Sequence, residues 1–66
     1  MTVVVNGEPR EVPPGVTLAE LVGQLTGSPR GVAAAVNGEV VPRRGWPGRL
    51  LADRDSVEVV TAVQGG

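Results

Sequence analysis

The sequence predicts an α+β fold, a mixed sheet of four to five strands with one helix packed on one face. Three observations lead there. Two Asn-Gly pairs, at 6–7 and 37–38, each follow a short apolar run of Val and Ala. A Thr17-x-x-Glu20 box opens the stretch with the clearest helical apolar spacing. A valine-rich run at 57–61 matches the first one, at 1–5, in composition.

Residues 1–5 are apolar and β-branched, and Asn6-Gly7 follows at once. Asn-Gly is the preferred pair for a two-residue hairpin turn, because both positions need positive φ. The return strand, 8–12, contains Pro9, which has no N–H to give to a ladder and so belongs at a sheet edge. Pro13-Pro14-Gly15 stops it. In the Thr17-Glu20 capping box the hydroxyl accepts from the Glu20 amide and the carboxylate returns to the Thr17 amide, while Val16 and Leu21 supply the apolar staple. Leu18, Leu21, Val22 and Leu25 recur at i, i+3, i+4, i+7 and define one buried face. Gly27, as the residue after the cap, and Pro29 end the helix.

Val32–Val36 reads as a buried strand, turned by Asn37-Gly38 into Glu39–Val41, which Pro42 stops. Arg43–Gly48 is expected to be an irregular Pro/Gly-rich loop carrying Trp46, with Leu50 and Leu51 plugging the core from below. Asp53-Arg54-Asp55 is a polar turn before the last strand, 57–61. One helix covers only one face of such a sheet. Runs of valine at successive positions suit central strands, which places the first and last strands in the middle. If those two are parallel neighbours, the helix forms part of a right-handed crossover. That arrangement is a β-grasp, spanning 1–62, with a flexible tail at 63–66 and valines on an open sheet face available to a partner.

Composition argues against independent catalysis. The chain has 66 residues, near the lower limit for burying a core unaided, and cysteine is absent, so no disulfide or thiolate–metal staple helps. Histidine, lysine and tyrosine are absent too, which removes the usual general base, Schiff-base amine and phenol. The carboxylates are scattered, and so small a body lacks a cleft for a paired-carboxylate hydrolase. A net charge of −1 without a basic, aromatic-interleaved run gives no footprint for nucleic acid. The longest apolar run, Val32–Val36, is far too short for a bilayer, and no export signal is indicated. Cytoplasm is the default expectation.

What remains is the end of the chain, Val63-Gln64-Gly65-Gly66. Two terminal glycines arise by chance in roughly 2% of chains this rich in glycine, so alone the pair is a weak signal. A frayed terminus is the bland reading. Attached to a β-grasp pattern with no other chemistry, it leads. A tail without side chains threads a narrow channel and adopts φ/ψ values closed to other residues. Its carboxylate, ionised at neutral pH, is a competent nucleophile toward a phosphoryl centre. Gly66 is the candidate group-carrying residue, Gly65 gives clearance, and Val63, Gln64 and Trp46 are candidate partner contacts.

The ordered set of motifs resembles a known family. Val5-Asn6-Gly7-Glu8, Thr17-Leu18-x-x-Leu21, the run from Val32 through Asn37-Gly38 to Pro42-Arg43, Asp53-x-Asp55-x-Val57-Glu58-Val59-Val60 and the ending Thr61-Ala62-Val63-Gln64-Gly65-Gly66 are similar to the ThiS sulfur carriers of thiamine thiazole biosynthesis. The resemblance covers nearly the whole chain. It implies adenylation of Gly66 with ATP by a ThiF-like enzyme, conversion to a thiocarboxylate, and delivery of sulfur to a ThiG-like thiazole synthase. A cysteine desulfurase or other persulfide donor would supply the sulfur indirectly. No cofactor would be bound; ATP would be consumed by the activating partner. The family commonly has Gly where this chain has Arg54, and arginine would be strained in a turn that needs positive φ.

Competing readings are a carrier for molybdopterin synthesis or tRNA thiolation, a ubiquitin-like modifier, and a β-grasp binding module with an inert tail. Trp46 is either an interface anchor or a lid on the core, and the core's shortage of bulk favours the lid. Arg43 and Arg44 read as a solvated pair more than as a steering patch. Asp53, Asp55 and Glu58 read as surface charge rather than a metal site.

Overall fold

A computed structural model describes residues 1–27 and 30–61. Strands β1 (Thr2–Val5) and β2 (Glu8–Glu11) form an antiparallel hairpin. Asn6 and Gly7 turn it with φ of 51° and 85°, the pair of positive values a type I′ turn demands. Reciprocal bonds between Met1 and Val12 lengthen the hairpin by one pair: the Val12 amide to the Met1 carbonyl (2.8 Å) and the Met1 amine to the Val12 carbonyl (2.9 Å). Pro9 sits in β2, an edge strand, where its missing donor costs no ladder bond.

Helix α1 (Leu18–Leu25) opens with both halves of the capping box: the Glu20 amide donates to Thr17 Oγ1 at 3.2 Å, and the Thr17 amide to Glu20 Oε1 at 2.9 Å. Leu18, Leu21 and Val22 are buried, as their spacing predicts. Leu25 is not: it lies in the last turn of the helix, is 36% exposed, and lines an open depression with Val5, Glu8 and Arg10 of the first hairpin. Thr26 caps the helix through its amide to the Val22 carbonyl (3.0 Å), and Gly27 follows without a left-handed φ. Pro29 lies outside the described residues.

Strands β3 (Val32–Val36) and β4 (Glu39–Val41) form the second hairpin, turned by Asn37 and Gly38 at φ of 52° and 84°. The expectation of a fully buried β3 is corrected: only Ala34 and Val36 are buried, since the single helix covers one side of the sheet. Arg43–Gly48 is a 3-10 helix rather than an irregular loop. The Gly45 amide bonds the Pro42 carbonyl at 2.7 Å and the Arg49 amide bonds the Trp46 carbonyl at 3.2 Å, so the Pro/Gly-rich composition wraps tightly instead of meandering. Of the two leucines that follow, Leu51 fills the core at 5% exposure, whereas Leu50 is 60% exposed and bridges to Thr17 through its backbone. Successive residues of an extended segment point to opposite sides, so both could not enter the core.

The last strand, β5 (Ser56–Thr61), lies at the centre of a five-stranded sheet ordered β2-β1-β5-β3-β4. It runs parallel to β1 and antiparallel to β3. First and last strands are therefore central, as the valine runs predict, and they are also parallel neighbours, which meets the condition set for a β-grasp. The core comprises Val3, Val5, Val12, Val16, Leu18, Leu21, Val22, Ala34, Val36, Trp46, Leu51 and Val57, with no polar side chain buried among the described residues. No helix of the described residues is long and apolar enough to cross a membrane.

Candidate functional site

Strand β5 leads into the chain's end, and its two neighbours hold it unequally. On the β3 side the ladder runs the full length, from Val36↔Val57 to Val32↔Thr61. On the β1 side it spans only Val4↔Ser56 and Val5↔Val57, where β1 stops. From there the side chain of Asn6 takes over: its Oδ1 accepts from the Val59 amide at 2.9 Å and its Nδ2 donates to the Val59 carbonyl at 3.1 Å. At the other end of β5, Asn37 Oδ1 accepts from the Ser56 amide at 2.9 Å, and its Nδ2 donates to Asp55 Oδ1 at 3.0 Å. Each Asn-Gly turn thus also clamps the strand that bears the tail. Sequence reading saw the turns and missed the clamps, because Asn6 lies 53 residues from its partner.

Alternation along the strands sorts residues onto two faces. Val57 points into the core, whereas Glu58 and Val60 point to the uncovered side. By register, Ala33 stands opposite Val60, and Ala35 lies between Glu58 on β5 and Val40 on β4. Val40 is 72% exposed and Val60 61%. The alanines between these valines make a shallow apolar depression lined by Ala33, Ala34, Ala35, Val40, Glu58 and Val60. The open face the sequence predicts is present, built from two valines and a floor of alanine.

Trp46 does not belong to that surface. The indole is 3% exposed and its Nε1 donates to the Val41 carbonyl at 2.8 Å, so Trp46 is a core lid and its reading as a partner contact is corrected. The carboxylates of the polar turn have structural duties. Asp53 Oδ1 accepts from the Thr2 amide at 2.9 Å and Asp55 Oδ2 from the Ala52 amide at 2.8 Å. Among the described residues no group of three ligand-type side chains could hold a metal. Arg54 stands in that turn at φ 70°, the left-handed conformation in which the sequence expects arginine to be strained. The candidate residues Val63, Gln64, Gly65 and Gly66 lie outside the described residues; Thr61 is the last described residue before them.

A model of the ThiS family matches residues 3–66, which includes both terminal glycines. The chain belongs to the ThiS family. It is 43% identical over 61 residues to the sulfur carrier protein ThiS of Thermus thermophilus, covering 92% of this chain and 94% of that one. It is also 35% identical over 66 residues to a thiazole synthase of Paramagnetospirillum magneticum; there it covers 100% of this chain but spans 20% of that protein's length. Among solved structures, the crystal structure of the thiamine biosynthesis protein ThiS from Geobacter metallireducens superposes with a TM-score of 0.85 at 30% identity, covering 100% of both chains. The five-stranded mixed sheet with one helix in this ThiS-family member therefore matches the fold of a solved ThiS structure.

Proposed function

We propose that this chain is a sulfur carrier for the thiazole ring of thiamine, with Gly66 as the group-carrying residue. The observation that carries the reading is that the family match runs to the last residue, Gly66, with the Gly-Gly end included. The β-grasp body holds the start of the tail through β5. Five residues beyond Thr61 reach at most about 17–18 Å, enough to enter a partner's cleft while the body stays outside.

The chemistry belongs to the partners, as with other group carriers. A carboxylate oxygen of Gly66 attacks the α-phosphorus of ATP and pyrophosphate leaves, giving an acyl-adenylate on a ThiF-like enzyme. A sulfur nucleophile attacks the acyl carbon and AMP leaves. Where that sulfur comes from a persulfide, a thiol then cleaves the S–S bond and frees the thiocarboxylate. The likeness to part of a thiazole synthase supports delivery to a ThiG-like enzyme, since the relative carries a region like this chain within a protein of that name. This chain contributes an unhindered terminus and a docking surface, and no catalytic residue.

The test is intact-mass analysis after incubation with ATP, a sulfur donor and the activating enzyme. Replacement of one terminal oxygen by sulfur is expected, and it disappears when Gly66 is deleted. An unmodified chain under conditions that load the Thermus carrier overturns the proposal.

A further inference from the structure

The arginines of the molecule avoid the open face of the strands, whereas carboxylates lie on both faces. The chain has six basic residues, all arginine. Arg10 is the one arginine within a described strand; it pairs with the fully buried Val3 and so falls on the helix side of the sheet. Arg43 and Arg44 lie in the 3-10 helix, which packs against α1. Arg30, Arg49 and Arg54 lie between regular elements. No arginine occupies an open-face strand position among the described residues. The ionisable groups that do are carboxylates: Glu11, opposite Thr2 on the hairpin, and Glu58 in the middle of β5.

These two carboxylates differ. Glu11 accepts from the Thr2 hydroxyl and lies 3.9 Å from the Met1 amine. Glu58 is exposed, stands opposite Ala35, borders the apolar depression, and has no hydrogen-bond or ion-pair partner among the described residues. A protein that covers the depression must therefore cover an unpaired carboxylate. Leaving such a charge buried and unpaired is strongly unfavourable, whereas a cation placed opposite it restores the balance. A second copy of this chain is a poor occupant, because a two-fold contact through this face brings like surfaces, and so like charges, together.

Resting on the carrier reading above, we infer that Glu58 is a specificity-determining residue for loading: it pairs with a cationic side chain set in an apolar docking surface of the enzyme that adenylates Gly66. Two considerations select this occupant. Glu58 lies in β5, which ends at Thr61, and the five residues that follow reach at most about 17–18 Å, so whatever grips Gly66 works close to the end of that strand. An enzyme that holds a triphosphate and a second anion, the Gly66 carboxylate, must present positive potential around its cleft. A carrier face bearing only carboxylates is steered toward such a surface.

The experiment uses full-length wild type, Glu58→Gln, Glu58→Arg and Glu11→Gln, with association and dissociation rates measured on the adenylating enzyme at low and high salt. Amide spectra of each variant check that the fold is kept. Glu58→Gln is expected to raise Kd about tenfold or more and to flatten the salt dependence of the on-rate, with Glu58→Arg weaker still. Glu11→Gln is expected to stay within about twofold, since a peripheral charge contributes little. Equal or tighter binding by Glu58→Gln, while wild type is loaded normally at Gly66, overturns this inference and leaves the carrier reading intact. So does a loss confined to the thiazole synthase, or a dimer formed through this face. A wild-type chain that is never loaded overturns the carrier reading, and the inference with it.

Discussion

The carboxamide of Asn6 bonds both the amide and the carbonyl of Val59, a residue 53 positions away, at 2.9 and 3.1 Å. It does so just where β1 has ended and β5 has not. One side chain thus replaces a missing residue of strand along the edge of β5 that faces β1. The same Asn supplies the left-handed turn, at φ 51°, that makes the first hairpin. Turn formation and strand support are separable by substitution.

Asn6→Gly keeps the turn, because glycine adopts positive φ freely, and removes both bonds to Val59. With about 0.5–1.5 kcal/mol net for each hydrogen bond, the variant is expected to lose about 1–3 kcal/mol. Denaturant unfolding checks the magnitude. Hydrogen exchange checks the place: the Val59 amide is expected to lose more protection than the Leu21 amide in α1, and uniform loss would deny the local role.

Arg54 holds φ 70° in the turn before β5, and its side chain is 91% exposed with one distant contact to Asp53 at 3.9 Å. Left-handed φ costs an L-residue about 1–2 kcal/mol, part of which the greater unfolded freedom of glycine offsets. Arg54→Gly is therefore expected to raise stability by about 0.5–1 kcal/mol, which for a chain this size lifts Tm by a few degrees. A lower Tm on calorimetry would show that the arginine side chain contributes more than its exposure implies.

Gly23 lies inside α1 with ordinary φ, is exposed, and a Cβ built there meets nothing within 4 Å. Gly23→Ala is expected to stabilise the chain by about 0.8–1 kcal/mol through helix propensity alone, checked by thermal unfolding followed by circular dichroism.

Leu21 and Leu50 are the same residue type in opposite settings, at 0% and 60% exposure. Leu21→Ala is expected to cost about 2–5 kcal/mol and to leave the domain largely unfolded at 37 °C, given the small total stability of a domain of this size. Leu50→Ala is expected to stay within about 0.5 kcal/mol. Comparable losses in urea titrations would contradict the core described above.

Val60→Asp places a charge on the open face, at a position 61% exposed. Stability is expected to change by less than about 0.5 kcal/mol, while binding to the activating enzyme falls sharply. Loss of folding instead would mean that the face is covered within the chain.

Local features were legible in the sequence because their physics is local. Asn-Gly at 6–7 and 37–38 dictates two hairpins, since few other pairs tolerate positive φ twice in succession. Thr17 and Glu20 satisfy each other's amides within one turn of helix. The glycine at position 66 is a property of the chain itself. The parallel pairing of β1 with β5 was reachable only because valine runs and a single helix leave few topologies open.

Tertiary structure decided what depends on residues far apart. Leu50 and Leu51 are indistinguishable by composition, and only the direction in which the segment passes under the sheet sends one inward. Arg43–Gly48 looked irregular because turn residues do not encode a 3-10 helix; its lid, Trp46, is held by a carbonyl on β4. Asn6 gained its partner on Val59, and Glu58 its apolar surroundings, only once β5 was laid between β1 and β3. The chain by itself determined the turns, the helix start and a terminus free of side chains. The single helix decided which face of the sheet stays open, and strand order decided which residues stand beside Glu58 and Val60 on it, because in a sheet the neighbours, not the residue, set what a side chain meets.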